Sequence, residues 1–175
     1  MKIAYSGAPG AFAHEACLAF APDVGPMAVN GFAAVADAVE SGVAGFGMLP
    51  LHNSRAGAVE DVAELLRTRP LCIMAEHDLR VRMHLLGLAG TELATVRTVA
   101  SHPMALRQCT KALEALGVTL EEAPNTAVAA RELTDPTRAV LASEAAAKAY
   151  GLIILQHDLQ DDPHNHTRFA MVVAS

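Results

Sequence analysis

Short apolar runs and amphipathic helical stretches alternate along almost the whole 175-residue chain. Lys2–Tyr5 reads as a strand and Phe12–Phe20 as a helix. Pro26–Val29 is strand-like, and Phe32–Glu40 carries apolar residues at 32, 35, 36 and 39, the spacing of one helical face. A buried strand follows at Gly45–Leu51, then a helix from Gly57 to about Arg67 and an extended segment over Leu71–Leu86. The second half repeats the rhythm. Strands are predicted at Thr98–Ala100, Val118–Glu122, Ala139–Ala142, Leu152–Leu155 and Thr167–Val173, and helices at Pro103–Leu116, Thr126–Leu133 and Glu144–Tyr150. Strands alternating with helices of this length specify βαβ units, because a parallel neighbour needs a crossover that a helix supplies. The fold class is α/β, with mainly parallel sheets flanked by helices.

Composition narrows what such a fold is for. Hydrophobic residues make up 52% and charged residues 18%, which excludes disorder and supplies a substantial core. Aromatic residues are only 4%, there is no Trp, and the net charge is −6, so stacking platforms and a basic footprint for nucleic acid are both missing. No apolar run approaches the ~20 residues of a membrane span. Cys17, Cys72 and Cys109 are odd in number and widely spaced, the pattern of free thiols in a reducing compartment, and the expected location is cytoplasmic.

The chain is long enough for two lobes. A boundary near Glu76–Val81, where the chain leaves one βαβ set, and another in the polar, turn-rich stretch Gln160–His166 divide it into a first lobe of residues 1–77 and 162–175 and a second of 78–161. Two crossings make a hinge, and a cleft between lobes is a natural small-molecule site.

Five strand-to-helix junctions carry small, hydroxyl or amide residues. They are Ser6–Gly10, Asn53–Gly57, Ser101–Pro103, Asn125–Thr126 and Ser143. Each alone is a good helix cap. As a set, at the carboxyl ends of strands, they predict a carboxylate-binding cleft. Arg55, beside Asn53, is a candidate clamp through its bidentate fork. His157, Asp158, Asp161, Asp162, His164 and His166 offer metal ligands without a mechanism-bearing spacing, and read as a solvated turn; no metal is expected. Cys109, inside a helix, reads as packed.

Six collinear blocks then resemble the prephenate dehydratases. They are Gly7-Ala8-Pro9-Gly10-Ala11-Phe12; Leu49-Pro50-Leu51-His52-Asn53-Ser54 with Gly57; Ser101-His102-Pro103-Met104-Ala105-Leu106-Arg107-Gln108-Cys109; Thr126-Ala127 with Ala129-Ala130; Ala142-Ser143-Glu144-Ala145-Ala146 with Tyr150-Gly151-Leu152; and Asn165-His166-Thr167-Arg168-Phe169. The resemblance implies a two-lobed fold like that of type 2 periplasmic binding proteins, with substrate between the lobes. It implies conversion of prephenate to phenylpyruvate, CO₂ and water without a cofactor, with Thr167 as the acid. Gly10, Ala11, Asn53, Ser54, Arg55, Gly57, Ser101, His102, Thr126, Ala127, Asn165 and Phe169 are the expected substrate-binding residues. Related enzymes being homo-oligomers, a dimer is expected.

On a terminal strand Thr167 and Phe169 share a face while Arg168 points to the other and braces a neighbour. His52 stands where the family has Glu, Ala11 and Ala13 where hydroxyl residues are usual, and Met104 in place of Gln. The chain ends six residues after Phe169, too early for the regulatory ACT domain that many members carry, so no intrinsic phenylalanine feedback is expected. The competing readings are an arogenate dehydratase, a branch that decarboxylates without aromatising, and a non-catalytic carboxylate-binding protein on the same fold. Only the last two have no use for Thr167.

Overall fold

The computed structural model describes all residues 1–175, and the chain divides into two compact units. The first comprises residues 1–8, 12–81 and 165–175; the second comprises 9–11 and 82–164. The divisions fall a few residues beyond the expected 77/78 and 161/162, and the short segment Pro9–Ala11 belongs with the second unit.

In the first unit, strands β1 (Lys2–Ser6), β2 (Gly25–Val29), β3 (Phe46–Asn53), β5 (Leu71–Arg80) and β11 (His166–Ala174) form a sheet in the order β2-β1-β3-β11-β5, with the two-residue β4 (Gly57–Ala58) appended to β3. Helix α1 (Phe12–Phe20) covers one face, where Ala16 and Cys17 pack with Ile3, Tyr5, Met48 and Phe169. Helices α2 (Phe32–Glu40) and α3 (Glu60–Thr68) cover the other, where Val35 and Val62 pack with Ala4, Leu49, Ala170 and Val172. The alternation of β11 is legible in this: Phe169 goes to one core and Ala170 to the other.

The second unit is built on β6 (His84–Gly87), β7 (Thr98–Ser101), β8 (Thr119–Glu122), β9 (Arg138–Ala142) and β10 (Ile153–Gln156), in the order β10-β6-β9-β7-β8. A single 3₁₀ turn (Leu93–Thr95) precedes β7. Helices α4 (Pro103–Gln108), α5 (Thr110–Leu116), α6 (Thr126–Arg131) and α7 (Glu144–Tyr150) complete it. Alanines at 129, 130, 146 and 147 let α6 and α7 approach the sheet at Leu86, Ala100 and Val140. Gly151 closes α7 in the left-handed region at φ 64°, which only glycine adopts without penalty.

The sheets are mixed, which corrects the expectation of mainly parallel ones. β1–β2, β1–β3, β7–β8 and β7–β9 are parallel, whereas β11 runs antiparallel to both β3 and β5, and β6 antiparallel to both β9 and β10. β5 runs parallel to β3 across the intervening β11 and closes a β3-α3-β5 crossover, but β6 follows β5 with no helix between them and lies in the other sheet. Two further corrections are local. The stretch predicted as one helix over 103–116 breaks at Cys109, whose φ of −123° and ψ of 24° lie outside the helical region. The helix expected from Gly57 starts at Glu60, because Gly57 and Ala58 pair with Asn53 and His52.

Candidate active site

Thr167 is the second residue of β11, 9% exposed, with Asn53 of β3 opposite it on one side and Leu79 of β5 on the other. Its hydroxyl oxygen accepts a hydrogen bond from the Asn53 side-chain amide at 2.8 Å. Asn53 is oriented by the loop that follows it. Its Oδ1 accepts from the backbone N–H groups of Arg55 and Ala56, both at 2.9 Å. Of the two ends of the amide only the oxygen accepts, so the amide nitrogen is compelled to face β11. There it also reaches the His166 carbonyl and Asn165 Oδ1, each at 3.1 Å.

A second set of bonds zips the same two segments. The Ser54 N–H donates to the His166 carbonyl at 2.9 Å, and the His166 N–H donates to Ser54 Oγ at 3.1 Å. Asn165, 1% exposed, passes its carbonyl to the N–H of Val81. Residues 53–56 and 165–167, more than a hundred positions apart in sequence, thus form one network within the first unit. Asn53–Gly57 is the turn of a β3–β4 hairpin and caps no helix, which corrects its expected place at a strand-to-helix junction.

Chemically, this network holds the Thr167 hydroxyl by a donor on its oxygen and engages its O–H with no acceptor. The Asn53 N–H stabilises negative charge on that oxygen, so it eases proton release in a nearly dry setting.

The other expected residues fall into three groups. Arg55 is exposed and Gly57 lies at the far side of the hairpin turn, both beside Asn53. Phe169 is 2% exposed and packs against Tyr5, Met48 and Leu79, so it belongs to the core rather than to a ligand surface. The remaining group lies in the second unit, where junction side chains serve the backbone. Ser101, fully buried, donates from Oγ to the Leu141 carbonyl at 2.8 Å. The cap of α4 is His102, whose Nδ1 accepts from the Met104 N–H at 3.1 Å, and not Ser101 as expected. Asn125 caps α6 through Val128 N–H at 2.7 Å, which leaves Thr126 half-buried and Ala127 buried in the first turn. Ser143 caps α7 through Ala146 N–H at 3.0 Å and donates to the Gly10 carbonyl at 2.6 Å. Gly10 has φ +89°, and a Cβ there would lie 2.6 Å from the Ala146 Cα, so the position accepts no side chain. Its neighbour Ala11 is half-buried.

His52 lies opposite Arg168, not Thr167, so it shares the Arg168 face of the sheet. Arg168 braces Asp78 with a two-pronged ion pair at 2.9 and 3.0 Å, which holds the Asp78 carboxyl below its usual range. Burial pushes the Cys17 and Cys109 thiols up to about 12, so both are packed and unreactive. No group of three or more His, Cys, Asp or Glu side chains is arranged to hold a metal ion. No helix is long and apolar enough to cross a membrane.

Sequence reasoning missed one polar cluster. Arg82 grips Asp158 through two bonds of 2.7 Å, Gln160 Oε1 accepts from the Met83 N–H at 2.9 Å, and buried His84 accepts from the Asp158 N–H at 3.2 Å. Asp158 has φ +55°, the one non-glycine residue in the left-handed region. Nothing in the local sequence pairs residues 82–84 with 157–160; only the strand order does.

An α/β fold of two units, with a threonine hydroxyl held by an asparagine of the adjacent strand, defines the class. Residues 3–175 match the family profile described as prephenate dehydratase, and the chain belongs to that family. The chloroplastic arogenate dehydratase/prephenate dehydratase 2 of Arabidopsis thaliana is 37% identical over 175 residues, covering 98% of this chain and 46% of the relative. The solved structure described as GqqA, a novel type of quorum quenching acylase, shares 34% identity at TM-score 0.94, over 100% of this chain and 64% of the other. A periplasmic substrate-binding protein of an ABC transporter from Coxiella burnetii, 14% identical, aligns at TM-score 0.50 over 99% of this chain and 84% of its own, a likeness of fold alone. The chain spans about half the length of the first curated relatives it matches.

Proposed function

We propose that this chain catalyses the decarboxylating dehydration of prephenate to phenylpyruvate, CO₂ and water, with Thr167 as the acid. The observation that carries this reading is the Thr167 hydroxyl, its oxygen held at 2.8 Å by an Asn53 amide that two backbone N–H groups orient. Thr167 donates its proton to the departing ring hydroxyl as the C–O bond breaks. The electron pair of the bond to the ring carboxylate enters the ring, CO₂ leaves, and an aromatic ring results. Aromatisation supplies the driving force, so the protein has mainly to orient the dianion and assist loss of hydroxide. A proton taken up from solvent restores the Thr167 hydroxyl, so each turnover consumes one proton and releases the ring hydroxyl as water.

In this reading Asn53 is a positioning residue. Ser54, Arg55, Gly57 and Asn165 are the residues of the first unit, and Gly10, Ala11, His102, Thr126 and Ala127 those of the second, that we assign to substrate binding. Ser101 and Phe169 are buried and engaged within their own units, so their part is structural. The chemistry asks for no cofactor. The free thiols of Cys17, Cys72 and Cys109 support a reducing, cytoplasmic setting. A homodimer is the assembly we infer; the edge strand β5 exposes Cys72, Ile73 and Met74.

The test is phenylpyruvate formation from prephenate by the wild type and Thr167→Ala side by side. Turnover in the wild type and its collapse in a folded variant support the reading. A relative whose name carries both activities favours arogenate as the second substrate to offer. Turnover of arogenate alone moves the assignment to that dehydratase, and binding of either acid without turnover moves it to a carboxylate-binding protein.

A further inference from the structure

At the end of β7 remote from Ser101, an open cavity of about 430 Å³ is lined by Leu93, Ala94, Val96, Ala115, Leu116 and Val118, with Arg97 as its single charged residue. Its walls are the 3₁₀ turn, the last turn of α5 and the residue entering β8. We propose that this cavity binds an apolar carboxylate, a molecule with a hydrophobic body and one anionic end.

Charge decides the occupant. The backbone of Arg97 is fixed on both sides, its N–H donating to the Thr137 carbonyl at 2.8 Å and its carbonyl accepting from the Thr119 N–H at 2.9 Å. One guanidinium nitrogen, Nη1, donates to the carbonyls of Ala94 at 2.9 Å and Val96 at 3.2 Å. Those bonds anchor the planar fork to the rim and leave Nε and Nη2 without an acceptor in the protein. No carboxylate lines the cavity. A pre-anchored fork with two donors to offer matches a carboxylate in the bidentate manner.

A second cavity of the same unit makes the contrast. It is bounded by Glu121, Glu122, Glu132 and Asp135, and its one cation, Arg138, is already paired with Glu121 at 2.5 Å. That cavity repels an anion. The Arg97 cavity has the apolar wall and the unpaired cation together, and the half-exposed Leu93 at its mouth is the expected contact for the hydrophobic body.

The experiment titrates 3-phenylpropionate into the ¹⁵N-labelled chain and follows backbone amide shifts, with 3-phenylpropan-1-ol and 3-phenylpropylamine as uncharged and cationic controls of like body. The expected result is saturable movement at residues 93–97 and 115–118 with a dissociation constant near ~1 mM or below. Arg97→Gln should weaken it about tenfold, as should Ala115→Leu, which fills the cavity from the exposed side of α5. Equal binding of the alcohol, undiminished binding by Arg97→Gln, or no movement at these residues overturns the proposal. So does movement of the same amides with protein concentration alone, which would assign the surface to a second copy.

Discussion

The two units share an architecture and treat their polar side chains oppositely. In the second unit, Ser101, His102, Asn125 and Ser143 bond to backbone within their own unit, so each side chain completes a fold. In the first, Asn53 completes a turn with its oxygen and offers its nitrogen to another side chain, Thr167. A polar group that only caps a helix has its chemistry consumed. A polar group held by one partner on its oxygen alone, as Thr167 is, keeps a proton to give. The same vocabulary of Ser, Thr and Asn therefore yields scaffold in one unit and a reactive group in the other.

Substitution separates the two uses. Thr167→Ala should lower kcat by about 10²–10⁴-fold, the range for losing a general acid, with thermal stability nearly unchanged in a melting curve. Asn53→Asp keeps the oxygen that the Arg55 and Ala56 N–H groups need and removes the donor to Thr167; kcat should fall by roughly 10–100-fold while the hairpin survives, read by steady-state rates and circular dichroism. Ser143→Ala should do the reverse. It strands the Gly10 carbonyl and the Ala146 N–H, so urea unfolding should show a loss of about 1–3 kcal/mol, with rate per folded molecule within a factor of a few.

The pH response sharpens the contrast further. Burial lowers the pKa of His84 below the ordinary 6.5, and its Nδ1 must stay unprotonated to accept from Asp158. Arg82 and His157 add to the lowering, while Asp158 and Glu144 oppose it. The unfolded chain then binds the proton that the folded one refuses. Stability from this group is complete above 6.5 and is lost as pH falls from there through the lowered value. Melting temperature should drop over that interval, and His84→Gln, which retains an acceptor that does not titrate, should drop less. The smallest effect belongs to His52→Glu. Facing Arg168 rather than Thr167, it should shift kcat and KM by less than about threefold, its gain being at most a surface ion pair.

Where local chemistry sets an element, the sequence was sufficient. The bounds of α1, α2 and α7 are those the apolar spacing predicts, and Gly151 ends α7 as its φ requires. The face shared by Thr167 and Phe169 follows from strand alternation alone. What stayed hidden depends on strand order. The antiparallel setting of β11 and β6 has no local signature, because strands can be apolar in either direction. The burial of Phe169, the Arg82–Asp158 cluster and the meeting of Asn53 with Thr167 all follow from that order. The break at Cys109 is a backbone event inside a continuous apolar pattern, so periodicity passes over it.

The most direct test of the account is a double-mutant cycle on turnover of prephenate, comparing wild type, Asn53→Asp, Thr167→Ala and the double variant. If Asn53 acts by holding the acid, its substitution costs little once Thr167 is gone, and the double variant turns over at the rate of Thr167→Ala alone. Losses that multiply would place Asn53 on the substrate independently and contradict the network as the source of the acid.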